Sequence, residues 1–133
     1  MSREAIRVDI SSNEDVVVVR QKAREQAQRA GFSLLETTKL VTAASELARN
    51  ALEHGGGGSA ELELLLDGAR RGVRMKFLDD GPGIADVDQA LTDGFTTGKG
   101  LGLGLGGSRR LVSDMKIETV VGVGTTITVV KWK

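Results

Sequence analysis

Eighteen glycines and a single proline, Pro82, sit in a chain of 133 residues, and most of the glycines gather in three clusters: Gly55 to Gly58, Gly81 with Gly83, and the stretch from Gly94 to Gly107. Abundant glycine without proline is not the composition of a disordered linker. It marks places where backbone takes a positive φ or approaches another group closely. Three such places in one short chain must be fitted into one fold, because a length of 133 residues supports a single core and leaves no room for a second catalytic domain. The expectation is one domain spanning residues 1–133.

The segments between the clusters are patterned. Ile6, Val8 and Ile10 alternate with polar residues, as in a half-buried strand over about residues 4 to 10. Ser12 with Asp15 resembles a capping box, Val16, Val19, Ala23, Ala27 and Ala30 recur at helical spacing, and Gly31 is a stop signal. Ser33 with Glu36 repeats the start signal, and the second helix is expected to run to about His54. It carries one apolar stripe of Leu40, Ala44, Leu47 and Ala51 and another of Val41, Ala48 and Leu52, so it is buried on more than one side. Beyond the first glycine cluster, alternation over Ala60 to Leu66 and over Val73 to Phe77 predicts a hairpin with its turn in Asp67 to Gly72. A short helix is expected over Asp86 to Leu91, another over Ser108 to Met115, and closing strands near 116 to 121 and 125 to 132. The order β-α-α-β-β-α-β-β predicts an α+β two-layer sandwich with helices on one face of a mixed or antiparallel sheet.

Composition excludes several function classes. Lys+Arg and Asp+Glu both number 18, so no net field favours nucleic acid or an anionic membrane as the partner. The absence of cysteine removes thiol chemistry and disulfide scaffolding, and the single His54 cannot build a histidine metal cluster. The longest apolar runs, Val16 to Val19 and Leu64 to Leu66, are far too short to cross a bilayer, so a soluble cytoplasmic protein is expected.

Four elements carry candidate chemistry. Glu46 and Asn50 lie four apart on the second helix, hence on one face with Cβ atoms about 6 Å apart. Read alone, they are an ordinary solvated pair. Asp79-Asp80-Gly81-Pro82-Gly83 follows a strand; its carboxylate is a natural acceptor for an exocyclic adenine amine, and its glycines let backbone pass close to a ring. Read alone, this is a turn. The run Gly98-Lys99-Gly100-Leu101-Gly102-Leu103-Gly104-Leu105-Gly106-Gly107 precedes a helix, where free backbone N–H groups and the helix dipole suit a triphosphate; the bland alternative is a flexible linker. It nearly matches a P-loop but has Gly100 where Ser or Thr belongs, and it satisfies G-x-G-x-x-G without the preceding strand or later acidic residue of a dinucleotide site. Finally, Gly122-Val123-Gly124-Thr125 is a hairpin turn whose Thr125 hydroxyl is placed to help fix Asp79. His54, near a helix C-terminus, reads as a dipole partner rather than a catalytic group.

In this order the four elements resemble the N, G1, G2 and G3 boxes of the GHKL ATPases, the superfamily of gyrase, Hsp90, histidine kinases and MutL. Ser45-Glu46-Leu47-Ala48-Arg49-Asn50, the Asp79 to Gly83 segment, Gly94-Phe95-Thr96-Thr97, the Gly-Leu repeat and the terminal Lys131-Trp132 are most similar to the anti-sigma-factor serine kinases, including the compact stressosome switch kinases. The resemblance implies a GHKL (Bergerat) fold and an ATP- and Mg²⁺-dependent serine/threonine protein kinase. Glu46 would be the base, Asn50 the Mg²⁺ ligand and Asp79 the adenine acceptor. Gly81, Gly83, Ile84, Thr97, Gly98, Lys99, Gly100, Leu101, Gly102, Leu103, Gly104 and Thr125 would complete the nucleotide site. Implied partners are STAS-domain protein substrates and a PP2C-type phosphatase or its regulatory domain, with a sigma factor as a further candidate. The alternative is an anti-sigma factor or nucleotide-gated binding module with little kinase activity, which would need Asn50 and Asp79 but no base. The family's lid arginine has no counterpart here before Arg109, and Lys99 is the candidate replacement.

Overall fold

The computed structural model describes residues 5–91 and 104–133. In chain order the elements are β1 (Ile6–Ile10), α1 (Asn13–Ala30), α2 (Leu34–Glu53), β2 (Gly58–Asp67), β3 (Arg70–Asp79), α3 (Val87–Ala90), α4 (Gly104–Arg109), β4 (Asp114–Val120) and β5 (Gly124–Trp132). The strands form a five-stranded sheet in the order β1-β2-β3-β5-β4, and every pairing among the described residues is antiparallel, so the mixed alternative falls away. No described helix is long and apolar enough to cross a membrane.

Register explains the core. Side chains alternate across a sheet, and two inward rows cross all five strands: Ile6, Leu62, Met75, Val129 and Met115, then Val8, Ala60, Phe77, Ile127 and Ile117. Against them pack Val19, Ala23 and Ala27 of α1 and Leu40, Ala44, Leu47 and Ala51 of α2, all in one cluster. A large apolar side chain fully removed from water here contributes about 1.5–3 kcal/mol. The alanines serve differently: they let two helices lie close to the sheet. A third inward row continues as Ile10, Gly58, Asp79, Thr125 and Thr119, where the apolar face turns polar.

Both long helices begin and end where the sequence signals placed them. Ser33 Oγ accepts from Glu36 N–H at 3.1 Å and Glu36 Oε1 accepts from Ser33 N–H at 3.1 Å, a reciprocal cap. Asp15 Oδ2 accepts from the N–H groups of Ser11 at 2.8 Å and Ser12 at 3.2 Å. Gly31, at φ 77, closes α1, with Phe32 N–H reaching Ala27 O at 3.0 Å.

Three boundaries differ from expectation. The β2–β3 turn is only Gly68 and Ala69, because Arg70 and Arg71 pair with Asp67 and Leu66 in the ladder. The helix expected over Ser108 to Met115 lies earlier, at Gly104–Arg109, because burial of Leu105 in the core sets its place. β4 accordingly starts earlier than expected, at Asp114, whereas Trp132 closes β5 as expected, standing opposite Gly72 and taking the Arg70 guanidinium 4.0 Å from its ring centroid.

The caps carry a pH signature. Hydrogen bonds from the Ser11 backbone, and from the Ser33 backbone, hold the Asp15 and Glu36 carboxyls below their ordinary values. A lowered folded pKa contributes stability present in full above the ordinary value near ~4 and lost as pH falls through the folded one. Glu36→Gln should therefore melt below the wild type at pH 6 and converge with it below about pH 3. A gap of constant size across that range would exclude the capping role.

Candidate functional site

The polar third row of the sheet faces the C-terminal half of α2, and the chain path between them closes the cleft. At the end of α2, Ala51 O accepts from Gly55 N–H at 3.1 Å and from Gly57 N–H at 2.9 Å, folding the glycine run back toward β2. Gly55 thereby presses on Asp79: a Cβ added there would stand 2.4 Å from the Asp79 Cγ, so no side chain fits. Gly81 N–H donates to Asp79 Oδ1 at 2.9 Å, a turn bond that fixes the carboxylate at the strand end.

The loop after β3 is strapped to the β4–β5 hairpin. Ile84 N–H donates to Thr119 Oγ1 at 2.9 Å and Gly122 N–H donates to Pro82 O at 2.8 Å. Gly83, at φ 78, passes so close that a Cβ would meet Val120 O at 2.6 Å. The Thr119 and Thr125 hydroxyls lie 2.9 Å apart. Thr125 stands directly opposite Asp79 in the ladder, but its bond runs to Thr119, so it acts on the hairpin rather than on the Asp79 carboxylate.

Together these elements enclose a cavity of about 420 Å³, within the range of small-molecule sites. Glu46 and Asn50 form its helical wall, Asp79, Gly83, Ile84 and Thr125 its sheet end, and Gly104 with Leu105 the edge contributed by α4. Gly81 does not line it and acts through its bond to Asp79. Thr97, Gly98, Lys99, Gly100, Leu101, Gly102 and Leu103 lie outside the described residues.

Sequence reasoning passed over several wall residues. Arg49 lies one turn from Glu46, and its Nη1 donates to Glu46 Oε1 at 3.2 Å. Its i,i+3 spacing from Glu46 on the same helical face was the available signal. Glu53 and Asp86 add further carboxylates to the lining. Thr119 was legible only as an alternating strand residue, since its role depends on a loop 35 positions away.

The donor set bears on a metal. No group of three or more His, Cys, Asp or Glu among the described residues is placed to hold one. A hard cation at this cleft would take most of its oxygens from a ligand's phosphates and from water, which is how Mg²⁺ is ordinarily held, and the Asn50 amide oxygen fits as the protein's contribution.

The chain is similar to known proteins over most of its length. The histidine kinase-like ATPase domain family matches residues 11–131. Serine/threonine-protein kinase RsbT of Bacillus subtilis (strain 168) is 38% identical over 125 residues, covering 94% of each chain. The RsbU and RsbW domains of Rv1364c from Mycobacterium tuberculosis share the fold at a TM-score of 0.66 and 24% identity, over all of this chain and 33% of that one. The mycobacterial sensor histidine kinase MprB does so at 0.57 and 17%, over 96% and 97% of the two chains.

The strap is testable apart from any ligand. Thr119→Val keeps the side chain's shape but leaves Ile84 N–H without its acceptor in a half-buried site, which should cost about 1–2 kcal/mol in chemical denaturation. An unchanged midpoint would mean that the loop is held by other contacts.

Proposed function

This chain belongs to the family of histidine kinase-like ATPase domains, and from that premise we propose that it is a protein serine/threonine kinase that transfers the ATP γ-phosphoryl group to a STAS-domain partner. The supporting observation is the convergence of Glu46, Asn50 and Asp79 on one cavity, although they come from a helix and from the far end of a strand. RsbT of Bacillus subtilis is named a serine/threonine-protein kinase, and its likeness runs along nearly the whole chain.

In this reading Asp79 accepts from the adenine amine, with Gly81 N–H holding one carboxylate oxygen so that the group is oriented before the base arrives. Apolar Ile84 and Ala90 give the ring a dry side in the same lining. Asn50 would hold the metal that accompanies the phosphates through its amide oxygen. Mg²⁺, when bound, spreads the charge of the phosphoryl oxygens. Glu46 orients the substrate hydroxyl and takes its proton as the new O–P bond forms, while the Pγ–O bond breaks and ADP leaves with the electron pair. The transition state of phosphoryl transfer is loose, so the wall's main service is position rather than strong basicity. A carboxylate in that wall supports transfer over mere nucleotide-gated binding; the PP2C-type phosphatase, as the partner that the kinase switches, rests on the sequence resemblance alone.

Separate measurements test the separate roles. Asp79→Asn replaces one acceptor oxygen by a donor and should weaken Mg-ATP binding in calorimetry by about 10- to 100-fold; wild-type affinity would remove the adenine role. Glu46→Gln should still bind ATP, yet transfer to a STAS-domain substrate should fall by about 10²-fold or more. Retained transfer would refute the base. In thermal melts Mg-ADP should raise the midpoint and NAD should not.

A further inference from the structure

The lining of the cavity is acidic. Glu46, Glu53, Asp79 and Asp86 all line the cavity, and among its described lining residues Arg49 is the one Lys or Arg. An anionic ligand entering such a wall needs a cation at the place where its charge is greatest. Arg49 is next to Asn50, the residue assigned to the metal and hence to the phosphate end, and one turn from Glu46, the residue assigned to the transferred group.

The state of Arg49 in this structure is informative. It makes a single-point contact to Glu46, Nη1 to Oε1 at 3.2 Å, with its own side chain 41% exposed and that of Glu46 17% exposed. An i,i+3 pair of this kind, half in water, is weakly held. A guanidinium offers five donors in a planar fork that matches a phosphoryl group better than one carboxylate oxygen. While the contact lasts, one Glu46 oxygen is engaged by the guanidinium and is not offered to a substrate hydroxyl.

The geometry points to Arg49 as a γ-phosphate sensor that trades Glu46 for the terminal phosphoryl group when a triphosphate enters, releasing the carboxylate to act on the substrate hydroxyl. The role rests on the phosphotransfer reading of the same cleft. It goes beyond that reading in making the base available only when a transferable group is present: ADP has no γ-phosphoryl to compete for the guanidinium, so Arg49 stays on Glu46. The residue is thus specificity-determining, and the ratio of triphosphate to diphosphate affinity is its signature.

Calorimetry on the full chain with the Mg²⁺ complexes of ADP and of the non-hydrolysable analogue adenylyl imidodiphosphate reads that ratio. Arg49→Ala should weaken the analogue by about tenfold or more, as expected for loss of a charge-assisted contact, and change ADP by no more than about threefold, a difference too small for a lost direct contact. Arg49→Lys, which keeps the charge without the fork, should recover part of the loss, and its melting point without nucleotide shows that the fold survives. If both variants keep the wild-type ratio, or lose both nucleotides equally, Arg49 is only a helix-surface partner of Glu46 and the sensor is refuted. Failure of the wild type to bind either nucleotide would instead overturn the phosphotransfer reading, and with it the sensor, a result visible before any variant is made.

Discussion

The structure depends on how closely α2 lies against the sheet. Ala44, Ala48 and Ala51 are each no more than 2% exposed, and Leu40 and Leu47 are as deeply buried between them. Small side chains on two adjoining stripes bring the helix axis close to β2 and β3, and the polar strip carrying Glu46 and Asn50 then falls at the rim of the core. Larger residues at the alanine positions would lift that strip away from Asp79. The glycine run after α2 follows from the same closeness, because the chain must reverse within a few residues and slip Gly55 under the Asp79 carboxylate.

A cleft built this way is fixed at its Asp79 end and adjustable at its Arg49 end. Asp79 is fixed by Gly81, and its loop is fixed to the hairpin through Thr119 and Pro82. On the other side Arg49 and Glu46 hold each other by one partly solvated contact. Under the proposed phosphotransfer reading, a fixed Asp79 end and an adjustable charge at Arg49 suit a reaction whose barrier is lowered chiefly by positioning and electrostatics.

Much of the fold was legible because it is governed by local signals that tertiary packing reinforces. The caps at Ser33 and Asp15, the Gly31 stop and the period-two alternation of β2 and β3 all agree with the burial they produce. Where local and global preferences part, the fold departs from the local signal. Gly104 to Arg109 holds three glycines, poor helix formers, and local propensity shifts the expected helix toward Ser108 to Met115; burial of Leu105 against the core moves it back. The Thr125 hydroxyl was expected at Asp79 because both sit at strand ends, whereas pairing with Thr119 across the β4–β5 ladder captures it first.

The sequence by itself determined the identity and spacing of the groups that can meet a nucleotide: a carboxylate and an amide on one helical face, an aspartate at a strand end, and glycines where backbone must come close. Periodicity and turn chemistry act over a few residues, so these features are written in the chain order. Only the tertiary structure decided that Glu46 and Asp79 share a cavity, that Thr119 anchors the loop after β3, and that Arg49 is the one Lys or Arg among the described residues of an acidic lining. Those facts depend on which strands neighbour one another and on how near α2 approaches them, distances that no local pattern fixes.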